Sequence, residues 1–190
     1  MIYKEKGNSR IFAEAPVSPD PVSKKESSLV QEIASLFLKI FVIMLAFILM
    51  FTFLFGLVRY EEPEMTPAIK DGDLVIFYRF TRNGYLPQDV VLLEFEGKKQ
   101  SRRVIATAGD KVDITEQGRS INGALQWEPE IYEETQRYEE GVDFHVVVPE
   151  GQIFVLADRR INATDSRVYG CIKSEDVLGK VIAILRRRNI

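Results

Sequence analysis

The side chains that could carry chemistry fall in three short blocks. The first is Glu62-Pro63-Glu64-Met65-Thr66-Pro67-Ala68-Ile69, followed by Gly72-Asp73. The second is Arg102-Arg103-Val104-Ile105-Ala106-Thr107-Ala108-Gly109-Asp110. The third is Ala157-Asp158-Arg159-Arg160-Ile161-Asn162-Ala163-Thr164-Asp165-Ser166-Arg167. Glu64 with Asp165 or Asp158 is a carboxylate pair, the minimum for acid–base hydrolysis. Ser101, with Lys98 and Lys99 nearby in sequence, offers the hydroxyl and amine of a serine–lysine dyad. On a strand, however, Ser101 and Lys99 point away from the face of Arg102, and Lys98 lies about 13 Å along the chain from it. Neither arrangement has both reach and a partner. The single histidine, His145, lies in DFHVVV and has no second ligand at metal spacing, so no metal site is expected. The single cysteine, Cys171, excludes an intrachain disulfide and reads as a small packed thiol.

The elements that must position these blocks are mostly strands. Leu74–Arg79, Val90–Phe95, Arg102–Thr107 and Lys111–Thr115 are short runs rich in β-branched and aromatic residues, bounded by polar turns. Gln117-Gly118-Arg119 and Asn122-Gly123 are turn signals in close succession and predict a small hairpin. Phe144–Val148, Ile153–Leu156 and Val181–Leu185 complete the set. No window of helical length beyond residue 60 shows a 3.6-residue period. The expected fold class is mainly β, an antiparallel and partly closed domain with short turns. Trp127–Glu140 (WEPEIYEETQRYEE) stands apart as acidic with spaced aromatics. It reads as a solvated excursion or as a docking surface.

Ahead of this domain, Ile33–Val58 carries no charge after Lys39 until Arg59. Ile40–Val58 alone is long enough to cross a hydrocarbon core of about 30 Å. The following RYEEPEM offers no small-x-small cleavage site, so an uncleaved anchor is expected. Lys24, Lys25 and Lys39 precede it and Arg59 alone follows closely, which predicts a cytoplasmic N-terminus and a C-terminal domain outside the cell membrane. The division is then a flexible tail over 1–32, a transmembrane anchor over 33–58 and an extracytoplasmic domain over 60–190. A net charge of −3 without a concentrated basic face argues against a nucleic-acid partner. Arg186–Arg188 reads as a solvated tail or a contact with anionic lipid.

Taken in order, the three blocks resemble the conserved frames of bacterial type I signal peptidases, the membrane-anchored serine endopeptidases that cut leader peptides from exported proteins. Those frames are like Gly-x-Ser-Met-x-Pro-Thr-Leu with Gly-Asp, then Lys-Arg-Val-Ile-Gly-Leu-Pro-Gly-Asp, then Gly-Asp-Asn-Arg-x-x-Ser-x-Asp-Ser-Arg. The resemblance implies a signal-peptidase-like β domain, with a smaller insertion at roughly 115–144. It places Glu64 at the nucleophile position, Arg102 at the general-base position and Ala163 at the position of an orienting serine. Gly72, Asp73, Gly109, Asp110, Asp158, Asp165, Ser166 and Arg167 then match structural positions of the frames. No metal or other cofactor is implied.

The resemblance also implies a changed chemistry. The family mechanism needs a serine and a lysine that gives up its proton, whereas arginine stays protonated in a protein. The expectation is a pseudo-enzyme in which Glu64 and Arg102 meet as a salt bridge in the old cleft. The peptide groove implied by the family is expected at Pro63, Met65, Thr66, Arg103, Val104, Ile105 and Ala106. The chain is most similar to catalytically inactive signal-peptidase-like proteins of pilus loci in Gram-positive cocci. That similarity implies an accessory, chaperone-like role toward pilin subunits or the sortase in surface pilus assembly. The alternatives are an active signal peptidase with displaced catalytic residues, and a membrane-anchored binding protein of other purpose.

Overall fold

The computed structural model describes residues 21–81 and 84–186, with side chains of the first helix described from Ser28. The chain divides into two compact units, Met1–Ile48 and Leu49–Ile190. Helix α1 runs Pro21–Leu54 and includes a 27-residue apolar stretch, Ser28–Leu54. At about 1.5 Å per residue that stretch exceeds the thickness of a hydrocarbon core. Residues 1–20 of the expected tail lie outside the described residues, and Pro21–Glu32 forms the first part of α1. Once the apolar segment nucleates a helix, each further residue adds a hydrogen bond at little cost. At the other end the helix stops at Leu54, four residues short of the expected Val58. Phe55–Arg59 is strand β1, paired antiparallel with β2 (Leu74–Tyr78) from Phe55↔Tyr78 to Arg59↔Leu74. Phe, Leu and Val in that segment suit a pleated ladder, and Gly56 is a poor helix residue.

The remaining strands are β3 (Val90–Phe95), β4 (Lys98–Thr107), β5 (Lys111–Thr115), β6 (Gly118–Ile121), β7 (Ala124–Leu125), β8 (Val146–Val147), β9 (Gln152–Leu156), β10 (Ile172–Lys173) and β11 (Val177–Leu185). They form two antiparallel sheets. The larger has the order β1-β2-β11-β3-β4-β9-β10 and the smaller the order β7-β6-β5-β8. The fold is therefore mainly β, as the strand pattern implies. The smaller sheet begins at Lys111 and overlaps the residues 115–144 expected as an insertion. One helical turn, α2 (Ser166–Tyr169), was invisible to periodicity because four residues cannot show a period. Its cap is local: the Asp165 carboxylate accepts from the Arg167 amide.

Three apolar clusters hold the unit together. Tyr85, Val91, Leu93, Val104, Ile153 and Val155 pack on one face of the central strands. Ile105, Ala106, Val112, Val148, Phe154 and Leu156 join the large sheet to the small one. Tyr60, Met65, Ile69 and Val75 seat the first block on β2. Neighbouring strands β4 and β9 thus bury side chains on both faces, which fixes their register.

Candidate active-site cleft

Arg102 is wholly buried and is the hub of the cleft. Its Nη2 donates to the Glu64 carboxylate and, at 2.8 Å, to the Thr164 carbonyl. Its Nε donates to the same carbonyl at 3.0 Å, and its Nη1 donates to the Ser101 carbonyl at 2.6 Å. The Thr164 amide approaches the other Glu64 oxygen at 3.4 Å. Three segments far apart in sequence therefore meet at one ion pair: the first block, β4 and the loop before α2. The expected Glu64–Arg102 contact is present.

Glu62 lies second to this pair. Its Oε2 is 3.7 Å from Arg102 Nη1 and has no hydrogen-bond partner. Burial pushes its pKa up, and the charge of Arg102 offsets that only in part. The Tyr60 and Tyr169 hydroxyls are also buried without a partner in good geometry. Burial raises both, and the neighbouring Arg102 charge opposes the rise. Beside the pair opens a cavity of about 200 Å³ lined by Glu62, Pro63, Glu64, Arg159, Ile161 and Asn162. Ala163 is buried, and its amide donates to the Tyr138 hydroxyl at 3.0 Å.

The expected groove residues separate. Pro63 and Thr66 are exposed, and Arg103 is half-buried. Met65, Val104, Ile105 and Ala106 are at most 3% exposed and belong to the three cores, so their side chains line no groove. Sequence spacing could not show this, because β4 is covered on both faces. Part of β4 has a strand partner on one side alone. It pairs with β3 over Lys98–Arg103 and with β9 only from Arg103 to Thr107. On the β9 side, Lys98–Arg102 has no strand partner among the described residues.

The structural positions of the frames hold turns and strand ends. Asp73 accepts from the Lys70 amide and from Arg186 at 2.9 to 3.3 Å. Arg186 foremost, then the Lys70 amide, keep the Asp73 carboxyl below its usual range although burial works against them. Arg186 is thus an anchored residue rather than a free tail; residues 187–190 lie outside the described residues. Asp110 accepts from the Thr107 amide and from Asn122, which hold its carboxyl below the usual range as well. Gly72 and Gly109 take φ of +84° and +89°, a region that favours glycine. Asp158 and Arg103 form a bidentate pair at 2.6 and 2.7 Å. Asp165 and Arg167 form another at 2.9 Å, wholly buried, with Arg167 stacked over Tyr138 at 4.5 Å. The Ser166 hydroxyl accepts from the Val155 amide at 3.0 Å, so it braces β9. His145 is exposed just before β8. Cys171 is half-buried, and burial raises its thiol pKa.

The family described as "Signal peptidase, peptidase S26" matches residues 33–186, most of the chain and every block just described. The chain belongs to this signal peptidase family. Among its relatives, "Signal peptidase I U" of Bacillus subtilis (strain 168) is 30% identical over 129 residues, covering 63% of this chain and 69% of its own. "Signal peptidase I" of Bacillus licheniformis is 33% identical over 138 residues, covering 67% and 74%. A solved signal peptidase I of Enterococcus faecalis V583 aligns with a TM-score of 0.44 at 24% identity, over 54% of this chain and all of that one. In this member of the signal peptidase family, Glu64 and Arg102 form an ion pair in the cleft. Glu62 and the Thr164 carbonyl were missed in the sequence, because their approach depends on the course of two loops.

Proposed function

We propose that this chain is a non-catalytic signal peptidase homologue. It is anchored in the cell membrane by α1, with its N-terminus cytoplasmic and its β domain outside. It serves as an accessory, chaperone-like factor that holds pilin subunits or the sortase during surface pilus assembly. The observation that carries the loss of catalysis is Arg102: buried, permanently protonated, and with every nitrogen engaged by Glu64, Thr164 or Ser101. Such a group cannot take a proton from a nucleophile, and Glu64 is no nucleophile toward a peptide bond. Displaced catalysis finds little support, because the buried Ser101 hydroxyl has no hydrogen-bond partner and Lys98 and Lys99 are exposed. The start of β4 at Lys98 and Lys99, exposed and without a partner on the β9 side among the described residues, suits an extended polypeptide added as a strand. The pilus role rests on the resemblance to the inactive pilus-locus proteins.

The test is a leader-peptide cleavage assay on the full chain in detergent micelles, beside a Glu64→Ser/Arg102→Lys/Ala163→Ser variant. No cleavage above blank is expected from the wild type; robust turnover by it sinks the non-catalytic reading. Deleting the gene in its host should abolish covalent pilus polymers, and an unchanged polymer ladder removes the pilus assignment.

A further inference from the structure

The stretch between β7 and β8 is built inside out. Several of its polar groups turn inward. Glu128 receives Arg119 at 3.0 Å and Arg160 at 2.8 Å, both arginines being buried. The Thr135 hydroxyl accepts from Arg160 at 2.5 Å, and the Gln136 carbonyl accepts from Arg167 at 3.1 Å. The Tyr138 hydroxyl donates to the Arg160 carbonyl at 3.3 Å. Burial raises the Glu128 carboxyl, but Arg160 and Arg119 outweigh it and the net shift is downward. Of its three Trp and Tyr side chains, Tyr138 packs inward and the other two turn outward, with Trp127 87% and Tyr132 86% exposed.

A polar excursion with no role would settle its apolar groups on the core and leave its charges in water. Here ion pairs order the backbone and hold Trp and Tyr in solvent, the residue types that most often anchor interfaces. Beside Trp127 lies a concavity of about 250 Å³, closed by Gln88, Pro129 and Ile131. Two charged residues on its wall are already engaged, Arg103 by Asp158 and Glu128 by its two arginines. Glu130, exposed and without an ion pair among the described residues, is the charge left to a visitor. Glu134, Glu139 and Glu140 extend the negative surface, and the one basic residue of the stretch, Arg137, is held by Asp113 and the Ile114 carbonyl. Charge complementarity therefore selects a cationic occupant and disfavours nucleic acid or anionic lipid.

We infer that Trp127, Glu130 and Tyr132 form a docking ledge for a lysine-bearing segment of a protein partner. The pocket beside Trp127 takes the lysine: its methylene stem lies along the indole and its ammonium reaches Glu130. The ledge involves neither Glu64 nor Arg102, although Arg103 lines its pocket, and stands or falls independently of whether the cleft is catalytic.

Trp127 is the sole tryptophan of the chain, so its fluorescence reports on the ledge directly. The full chain in detergent micelles is titrated with a Gly/Ser decapeptide carrying two lysines, and with the same peptide carrying two glutamates. The lysine peptide should shift or quench the emission saturably, with binding that weakens as salt rises. Glu130→Gln should weaken it about fivefold without moving the melting temperature, since Glu130 is exposed and makes no ion pair among the described residues. Labelled lysine peptide should lose about tenfold in affinity for Trp127→Ala by anisotropy. An equal response to the glutamate peptide, no saturable response to lysine, or an inert Glu130→Gln overturns the inference. A concentration-dependent emission shift without peptide also overturns it, and assigns the ledge to a second copy of the chain.

Discussion

A lysine at position 102 could shed its proton on burial; an arginine there keeps its charge and spreads five donors in a plane. Those donors are spent on Glu64, the Thr164 carbonyl and the Ser101 carbonyl, so the residue acts as a rivet between three segments. Breaking a buried pair from one side leaves an uncompensated charge and costs about 3–5 kcal/mol. Arg102→Ala should fall in that range in denaturant unfolding. Glu64→Ala should cost less, because its side chain keeps 19% exposure and water can reach it. In the double-mutant cycle the coupling should exceed about 1 kcal/mol; additive single effects mean that the pair contributes nothing as a pair. The pairing itself was legible from the two frames. The Thr164 carbonyl and the approach of Glu62 were not, since backbone acceptors leave no trace in residue types.

Strand β11 shows how an element can hinge on one residue. It pairs with both β2 and β3, and its register slips between Val177 and Gly179 and again between Val181 and Ala183. A Cβ on Gly179 would overlap the Tyr78 carbonyl and lie 2.8 Å from the Phe77 ring. Neither neighbour is a flexible end, so the strands would have to part. Gly179→Ala should therefore cost about 2 kcal/mol or more in urea unfolding. A cost under about 0.5 kcal/mol would show that β11 relaxes freely. Most strands could be read as runs of β-branched residues between turns. Strand β1 could not: Phe55–Arg59 is as apolar as the helix before it, and only the partner β2 makes it a strand. Likewise α2 exists through its Asp165 cap and the Asp165–Arg167 pair, not through any pattern.

At the scale of the molecule, ion pairs tie together segments far apart in sequence. Asp73, in the turn of the first block, holds Arg186 at the far end of the chain. Arg186 and the Lys70 amide depress the Asp73 pKa, so the folded state binds its proton less readily than the unfolded chain. The sign follows: this stability is present above the ordinary carboxyl value of 3.8 and is lost as pH falls through the lower folded value. Asp73→Asn should melt below the wild type at neutral pH, and the two curves should converge in acid. A constant gap across pH would place the contribution of Asp73 elsewhere. Composition, the apolar run and three ordered frames were enough for a helix long and apolar enough to cross a membrane, the β class, the family and the Glu64–Arg102 contact, because each depends on residue types at short range. Burial on both faces of β4, the strand fate of Phe55–Arg59, the anchoring of Arg186 and the outward turn of Trp127 depended on which distant segments come into contact. Such contacts are set by sheet order and loop closure, and local residue patterns carry no record of either.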